Sequence, residues 1–361
     1  MDDLQAYGWD DDWAQLWHEL DRADLMPGRV VTDRGSHLKV VTPHEYDAEI
    51  AGKLSHTARS HELPKIGDWV ALQVGDDNKA VIHAVLPRKS EISRRMAGDR
   101  FGKQILAANI DLAFVVQALD DDFSAARLER YIYQLRQGHI EPLFIFNKAD
   151  LAQDLANKRA AVEILSIPYL ITSTETDQGL AEVATAIPAG RTAVFLGSSG
   201  VGKSSLTNKL LGFERQKTAA VRVSDSKGMH TTSHRALFTL PNGGMIIDTP
   251  GIRELQLWGD ETYLADTFPD IEALAADCKF RTTCSHTQEE GCKVIEAIKN
   301  GELDAARLTS YQKFRIELQA VSAQIAARTM ETKAQQNRRA AQARNFDDDD
   351  EYLTVIKFIK L

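Results

Sequence analysis

The sequence has few cysteines, no long apolar run and an excess of acidic over basic residues. Its 361 residues contain three cysteines, all between Cys278 and Cys292, which argues against a disulfide framework and favours a reducing compartment. No stretch approaches the roughly 20 apolar residues of a membrane-spanning helix, and the acidic N-terminus lacks the pattern of a signal peptide. We therefore expect a cytoplasmic protein without a membrane partner. Because the net charge is −9, any contact with nucleic acid requires local basic patches.

Changes in the hydrophobic period along the chain predict a multidomain protein. The first residues carry tryptophans at helical spacing, which predicts an amphipathic arm that packs on its own protein. From Arg29 the period is two, with frequent turn signals, which is typical of a small OB-like β-barrel; an SH3-like barrel satisfies the same pattern. Strands then alternate with helices, as in an α/β domain with a mostly parallel sheet, and Ser124 is predicted to cap a helix that ends at Gly138. The predicted parts are 1–25 (arm), 26–97 (barrel), 98–255 (α/β domain), 256–330 (mostly helical domain) and 331–361 (tail).

The clearest motif, GSSGVGKS, occupies Gly197–Ser204 and fits G-x-x-x-x-G-K-[ST]. An apolar run predicted to be a buried strand precedes it, and a helical pattern follows it. The glycines let several backbone N–H groups face phosphate oxygens, while Lys203 adds a positive charge near the β- and γ-phosphates and Ser204 offers a hydroxyl to Mg²⁺. The following helix directs the positive end of its dipole at the same anion. The predicted phosphate-binding residues are Gly197, Ser198, Ser199, Gly200, Val201, Gly202, Lys203, Ser204 and Ser205.

Three shorter motifs at the ends of predicted strands favour GTP over ATP. In Asn147-Lys148-Ala149-Asp150, the carboxylate of Asp150 accepts from the ring N–H and the exocyclic amine of guanine, a pair of donors that adenine lacks. Ser173 lies in a weaker loop motif that offers backbone N–H to the guanine O6. Asp248 is predicted to hold Mg²⁺ through water, and the N–H of Gly251 to contact the γ-phosphate. The predicted nucleotide-binding residues outside the P-loop are Asn147, Lys148, Asp150, Ser173, Asp248 and Gly251.

The order of these motifs is permuted, because the guanine-recognition motifs precede the P-loop instead of following it. A sheet is held together by neighbours in space, so its chain can be cut at another loop. On Gly197–Ser205, Gly228–Thr232 and Asp248–Gly251 the chain resembles the circularly permuted GTPases of the RsgA family, also called YjeQ or YloQ. The resemblance covers nearly the whole chain and implies an OB-like N-domain, a permuted P-loop GTPase core and a zinc-binding C-domain.

The resemblance also implies a function in the biogenesis of the small ribosomal subunit. We expect GTP and GDP as ligands, the small subunit and its rRNA as partners, and action during late maturation. Hydrolysis is expected to be stimulated by the subunit and coupled to release of the factor, which we expect to be a monomer. Two other functions stay open: a metabolic NTPase that acts on a small molecule, and a non-hydrolysing GTP-dependent RNA-binding module. GTPase rates with and without small subunits distinguish the three.

The segment Gly228–Thr232 is the predicted switch I, where either Thr231 or Thr232 completes the Mg²⁺ shell. Ile252 stands where many GTPases carry a glutamine that orients the attacking water, so intrinsic hydrolysis is expected to be slow. Our hypothesis is that His230 supplies the missing polarisation; the alternative is a solvent-exposed loop histidine.

The cysteines form the pattern Cys278-x5-Cys284-x-His286-x5-Cys292. Three thiolates and one imidazole within fifteen residues suit a closed tetrahedral Zn²⁺ site with a structural role, although the Cys-x-His step is unusual. The alternative is a set of buried cysteines without a metal.

A run of basic residues from Arg88 to Arg95 follows the predicted barrel, with Arg100 and Lys103 further on. It is either a solvated linker or a surface that faces RNA. The sequence leaves these two interpretations equally open.

Overall fold

The structure is a computed structural model, which describes residues 2–35, 37–95, 103–119, 124–152, 163, 165, 167–212, 235–248, 259–328 and 330. No helix in these ranges is long and apolar enough to cross a membrane. Several predicted features lie outside the described residues, namely His230, Thr231, Thr232, Gly251, Ile252 and the tail 331–361.

The N-terminal arm forms two short helices that pack on the barrel, as its sequence predicts. These are α1 (Asp2–Gln5) and α2 (Asp11–Glu19). The indole of Trp9 meets that of Trp69 edge-on, with ring centroids 4.8 Å apart. The guanidinium of Arg29 lies 5.4 Å from the Trp69 ring and donates to Thr192 Oγ1 at 2.9 Å. Burial lowers the pKa of Arg29 to about 10.

The barrel that follows is closed, because each strand pairs with two neighbours. Its strands are β1 (Met26–Asp33), β2 (Leu38–Thr42), β3 (His44–Ile50), β4 (Trp69–Val74) and β5 (Lys79–Val85), with helix α3 (Gly52–Thr57) between β3 and β4. The strand order is β1-β2-β3-β5-β4, and β4 pairs again with β1. Only β3 and β5 are parallel among these pairs. Aliphatic side chains fill the interior, and the predicted OB-like barrel is confirmed.

A β-hairpin that the sequence pattern does not indicate follows the barrel. It consists of β6 (Glu91–Arg95) and β7 (Lys103–Ala108), so it extends across the predicted boundary at residue 97, which stays a prediction. The basic residues before it contact acidic groups of the same chain. Arg88 makes two hydrogen bonds of 2.8 Å with the buried carboxylate of Asp68. Lys89 pairs with Asp12 at 3.0 Å. For these two cations the contacts favour the linker interpretation over the RNA-facing one.

The α/β part is built on a mostly parallel sheet. Its strands are β8 (Leu112–Ala118), β9 (Glu141–Asn147), β10 (Tyr169–Ile171), β11 (Thr192–Leu196), β12 (Arg235–Thr239) and β13 (Met245–Asp248). Its described helices are α4 (Ala125–Gln137), α5 (Leu180–Thr185) and α6 (Lys203–Leu211), with a 3₁₀ turn at Ala149–Leu151. The order β10-β9-β8-β11-β13-β12 places β11, which precedes the P-loop, between β8 and β13. Strands that come earlier in the chain thus complete one half of the sheet, and the predicted circular permutation is confirmed.

The barrel and the α/β sheet share backbone hydrogen bonds. β1 pairs with β12 in the register Thr32↔Ala236 and Asp33↔Arg235, which gives one continuous 11-stranded sheet. The buried carboxylate of Asp33 also lies 3.5 Å from the guanidinium of Arg235. The two parts are therefore joined at a sheet edge.

Helix α4 begins and ends at the residues that the sequence predicts. The side chain of Ser124 accepts a hydrogen bond from the backbone N–H of Arg127 at 3.3 Å, and Gly138 is the C-cap. Leu128, Ile132 and Leu135 are buried in the core under the sheet, so one face of α4 is fixed to the α/β part.

The C-terminal region is helical and packs against the other face of α4. Its helices are α7 (Leu264–Thr267), α8 (Pro269–Ala275), α9 (Lys293–Lys299) and α10 (305–328), with 3₁₀ turns at Glu261–Tyr263 and Arg281–Thr283. Four apolar side chains three or four residues apart in α10 are buried, namely Leu308, Tyr311, Phe314 and Leu318. Tyr133 of α4 belongs to the same hydrophobic core.

Candidate nucleotide site and metal centre

The P-loop turns sharply between β11 and α6, and its backbone requires glycine at two positions. Gly197 has φ 137° and Gly202 has φ 103°, a region that side chains with a Cβ rarely adopt. A Cβ on Gly197 would lie 2.2 Å from the carbonyl oxygen of Val116, and one on Gly202 would lie 2.1 Å from Nδ2 of Asn147. The loop is therefore packed closely against the ends of β8 and β9.

Lys203 folds back over the loop that precedes it. Its Nζ donates to the carbonyl oxygens of Gly197 at 2.7 Å and Ser198 at 2.6 Å. An ammonium in this place exchanges carbonyl oxygens for phosphate oxygens when an anion enters the loop. Ser199 and Gly200 are exposed at the tip, while Ser204 and Ser205 are half-buried in the first turn of α6.

Asn147 joins the P-loop to the guanine-recognition loops. Its side chain is fully buried; Nδ2 donates to the carbonyl oxygen of Val201 at 2.9 Å, and Oδ1 accepts from the hydroxyl of Thr172 at 3.0 Å. Since both polar atoms of the amide have partners within the protein, Asn147 holds two loops in register.

Asp150 and Ser173, two further residues predicted to recognise guanine, are brought together. The buried hydroxyl of Ser173 donates to Oδ1 of Asp150. The backbone N–H of Ala149 donates to the carbonyl oxygen of Thr172 at 3.0 Å, which aligns the ends of β9 and β10. Lys148, between the two strand ends, has a left-handed backbone with φ 61°. The carboxylate of Asp150 is thereby exposed at the same sheet edge as the P-loop, where it is able to accept from a base.

Asp248 is the last residue of β13, which is the parallel neighbour of β11. Its half-buried carboxylate lies at the sheet edge that carries the P-loop. The residues predicted to complete the magnesium shell and to act in catalysis, His230, Thr231, Thr232 and Gly251, lie outside the described residues and stay predictions.

One contact to the P-loop is not indicated by the sequence motifs. Nη1 of Arg127, in the first turn of α4, donates to the side-chain oxygen of Ser198 at 2.9 Å. The two residues are 71 positions apart, so no local spacing indicates the pair. The sequence shows only that a cation, Arg127, lies close to the predicted helix cap Ser124.

The C-terminal region brings together the four predicted zinc ligands. Cys278, Cys284, His286 and Cys292 are all buried, and their ligand atoms lie within 4.8 Å of one another. The Sγ atoms of Cys278 and Cys292 are 3.8 Å apart, and Nδ1 of His286 lies 3.7 Å from the first and 3.4 Å from the second.

The three distances among Cys278, His286 and Cys292 fit three edges of a tetrahedral zinc site. Bond lengths of about 2.3 Å to sulfur and 2.0 Å to nitrogen give edges of about 3.8 Å between two sulfurs and about 3.5 Å between sulfur and nitrogen. Burial raises the pKa of the Cys292 thiol to about 11 and lowers the pKa of His286. Four protein ligands leave no open position, so the chemistry of the site is structural.

The cluster is fixed to the neighbouring helices by hydrogen bonds. The backbone N–H of Lys293 donates to Sγ of Cys278 at 3.3 Å, and Nε2 of Gln312 donates to the carbonyl of His286 at 2.8 Å. Gln312 lies in α10, so this hydrogen bond holds the loop of His286 against that helix.

A P-loop at the middle strand of the sheet, preceded in the chain by guanine-recognition strands, defines a circularly permuted P-loop GTPase. A model of the RsgA GTPase family matches residues 85–258. The chain is 43% identical over 350 residues to the small ribosomal subunit biogenesis GTPase RsgA of Xanthomonas euvesicatoria pv. vesicatoria (strain 85-10), covering 93% of each chain. It is 39% identical to the protein of that name from Syntrophotalea carbinolica, covering 89% of this chain and 91% of the relative.

Two solved structures have the same fold. YjeQ from Thermotoga maritima matches with a TM-score of 0.62 and 25% identity, over 81% of this chain and 98% of that one. YloQ, described as a circularly permuted GTPase, matches with a TM-score of 0.59 and 24% identity, over 83% of this chain and 97% of that one. The chain belongs to the RsgA GTPase family and is a GTP-hydrolysing enzyme.

Proposed function

We propose that this GTPase binds the small ribosomal subunit and acts late in its maturation, with hydrolysis stimulated by the subunit and coupled to release. The observation that carries the proposal is the convergence of the P-loop and Asp150 at one sheet edge in a chain that matches RsgA proteins over most of its length. The names of those relatives state small ribosomal subunit biogenesis.

The proposed nucleotide contacts follow from the geometry of the site. The backbone of Gly197–Ser205 and the ammonium of Lys203 take the phosphates of GTP or GDP. Asp150 accepts from the base, while Asn147, Lys148 and Ser173 hold the loop that presents it. Ser204 and Asp248 would hold a Mg²⁺ ion, Asp248 through water, and the ion would neutralise charge that develops on the phosphates.

For hydrolysis we keep the hypothesis that His230 polarises the attacking water and that Thr231 or Thr232 completes the magnesium shell. Ile252 cannot orient a water molecule, which supports slow hydrolysis without a partner. Zn²⁺ on Cys278, Cys284, His286 and Cys292 supplies the structural metal.

Exposed basic and aromatic side chains beside the proposed zinc site support an RNA partner. Between Cys278 and Cys284, the side chains of Lys279, Phe280 and Arg281 are exposed. The Phe280 side chain is 46% exposed, and Nζ of Lys279 lies 5.5 Å from its ring centroid. An aromatic face beside cations is suited to stack on an unpaired base while the cations contact phosphates.

The test is the GTPase rate with and without purified small ribosomal subunits, at low and high salt. We expect strong stimulation that weakens as salt rises, because phosphate contacts release counterions. The control is Lys203→Ala, which removes the phosphate-binding cation and must abolish stimulated turnover. A rate that subunits leave unchanged under all conditions contradicts the proposal and favours a metabolic NTPase. Binding to subunits without turnover favours a GTP-dependent RNA-binding module.

A further inference from the structure

The N-terminal end of helix α4 contacts the P-loop. Nη1 of Arg127 donates to the side-chain oxygen of Ser198 at 2.9 Å, and the carbonyl oxygen of the same Ser198 accepts from Nζ of Lys203 at 2.6 Å. Ser198 is therefore a common partner of a cation that binds phosphate and a cation that belongs to α4. When Lys203 moves to a phosphate, the hydrogen bonding of Ser198 changes.

The next turns of α4 contact the C-terminal region. The carboxylate of Glu129 pairs with Arg307 at 2.5 Å, and both side chains are buried. Arg130 donates to Glu317 of α10 at 2.8 Å. The ring of Tyr133 meets that of Phe314 of α10 edge-on, with centroids 5.4 Å apart.

These contacts make α4 a rigid connection between two sites. Its buried face is fixed in the core under the sheet, while its other face shares the hydrophobic core of the C-terminal region. A helix transmits a small displacement along its axis because its backbone hydrogen bonds resist bending.

The charges at the start of α4 make it sensitive to an anion in the P-loop. The first turn contains no acidic residue, and it carries the cation Arg127. A positive charge at a helix N-terminus is unfavourable, and a nearby anion relieves it. The phosphates of a bound nucleotide would add an anion to the partners that Arg127 already has in the protein.

We propose that Arg127 is a positioning residue that couples nucleotide occupancy of the P-loop, through α4, to α10 (305–328) and the metal centre attached to it. The inference rests on the GTPase activity of the chain and does not require the ribosomal partner. Nucleotide binding stabilises the N-terminal end of α4 and, through the contacts of Glu129, Arg130 and Tyr133, orders α10.

The experiment measures hydrogen exchange on the full chain without nucleotide, with GDP, and with a non-hydrolysable GTP analogue and Mg²⁺. In the wild type we expect exchange in peptides from 305–328 to slow by about fivefold or more on binding the analogue, which is the lower end of ordinary coupling between sites. In Arg127→Gln, at nucleotide concentrations that saturate the site, this slowing is lost. Arg127→Lys keeps part of it because the positive charge remains.

The matched control is Arg136→Gln, which removes a cation from the same helix. Arg136 pairs with Glu141 at the surface and must leave the nucleotide-dependent change intact. Wild-type slowing that persists in Arg127→Gln overturns the proposal, as does a wild type without any nucleotide-dependent change in 305–328.

A second variant tests the coupling from the other end. Glu317→Gln breaks the pair with Arg130 and leaves the P-loop untouched. Coupling between sites is reciprocal, so the loss of a contact between α4 and α10 opposes nucleotide binding. We expect the affinity of Glu317→Gln for the GTP analogue to fall by about fivefold. An affinity equal to that of the wild type overturns the proposal even if Arg127→Gln fails to bind nucleotide. Since these measurements contain no ribosomal subunits, their failure is distinct from a failure of subunit stimulation.

Discussion

Replacing Asn147 by alanine tests whether this residue positions the P-loop or recognises the base itself. The substitution removes the hydrogen bonds to the carbonyl of Val201 and the hydroxyl of Thr172. Each buried polar group that loses its partner costs about 1–3 kcal/mol. The two together therefore destabilise the joined loops by about 2 kcal/mol or more.

This loss applies to every nucleotide in the same way, because the loops must be ordered before any phosphate binds. A cost of about 2 kcal/mol corresponds to roughly 30-fold in affinity. We expect GTP and GDP to lose affinity by similar factors in Asn147→Ala, as measured by titration with fluorescent nucleotides. The preference for guanine over adenine should fall far less than it does when the carboxylate of Asp150 itself is removed.

The matched variant is Asp150→Ala, which removes the exposed carboxylate and leaves the buried amide in place. A site built to hydrogen-bond a polar group rejects a ligand that lacks this group by about 10⁴-fold or more. In Asp150→Ala the preference for guanine over adenine must therefore fall by at least about 100-fold. The reasoning is refuted if Asn147→Ala loses guanine preference while keeping its affinity for phosphates.

Three further predictions concern the C-terminal region. Arg307→Met leaves the buried carboxylate of Glu129 without its cation, while the hydroxyl of Ser310 still donates to it. The substitution should lower the free energy of unfolding by about 3–5 kcal/mol in denaturant titration. The double variant Glu129→Met with Arg307→Met should recover part of this loss, because Asp270 lacks its pair with Arg307 in both variants; a double variant no more stable than the single one contradicts this account. Cys284→Ser removes one of the four buried candidate ligands and should lower the bound zinc, measured by atomic absorption, together with the thermal stability of the C-terminal region. A variant with full zinc content would show that Cys284 is not a zinc ligand. Phe280→Ala removes an exposed ring. It should weaken binding to small subunits by about 5- to 100-fold and leave the thermal stability unchanged. Unchanged binding excludes the stacking role.

The sequence alone was sufficient for features that depend on residues close together in the chain. The P-loop glycines and Lys203 are adjacent, the four residues of the predicted zinc site lie within one short segment and cluster in the structure, and Ser124 caps a helix that starts at the next residue. Hydrophobic periods of two and 3.6 distinguish the barrel strands from α10 because side-chain direction follows the local backbone. The order of the motifs predicted the circular permutation.

Tertiary structure decided the contacts between residues far apart in the chain. Asn147 lies 54 positions from Val201, and neither residue carries a local signal that it joins the two loops. The same holds for Arg127 with Ser198 and for the pairing of β1 with β12. Side-chain reach and burial select these partners only after the elements have packed. For that reason the sequence predicted which residues bind a nucleotide. The fold shows how the predicted nucleotide-binding loops are connected to the barrel and to the Cys–His cluster.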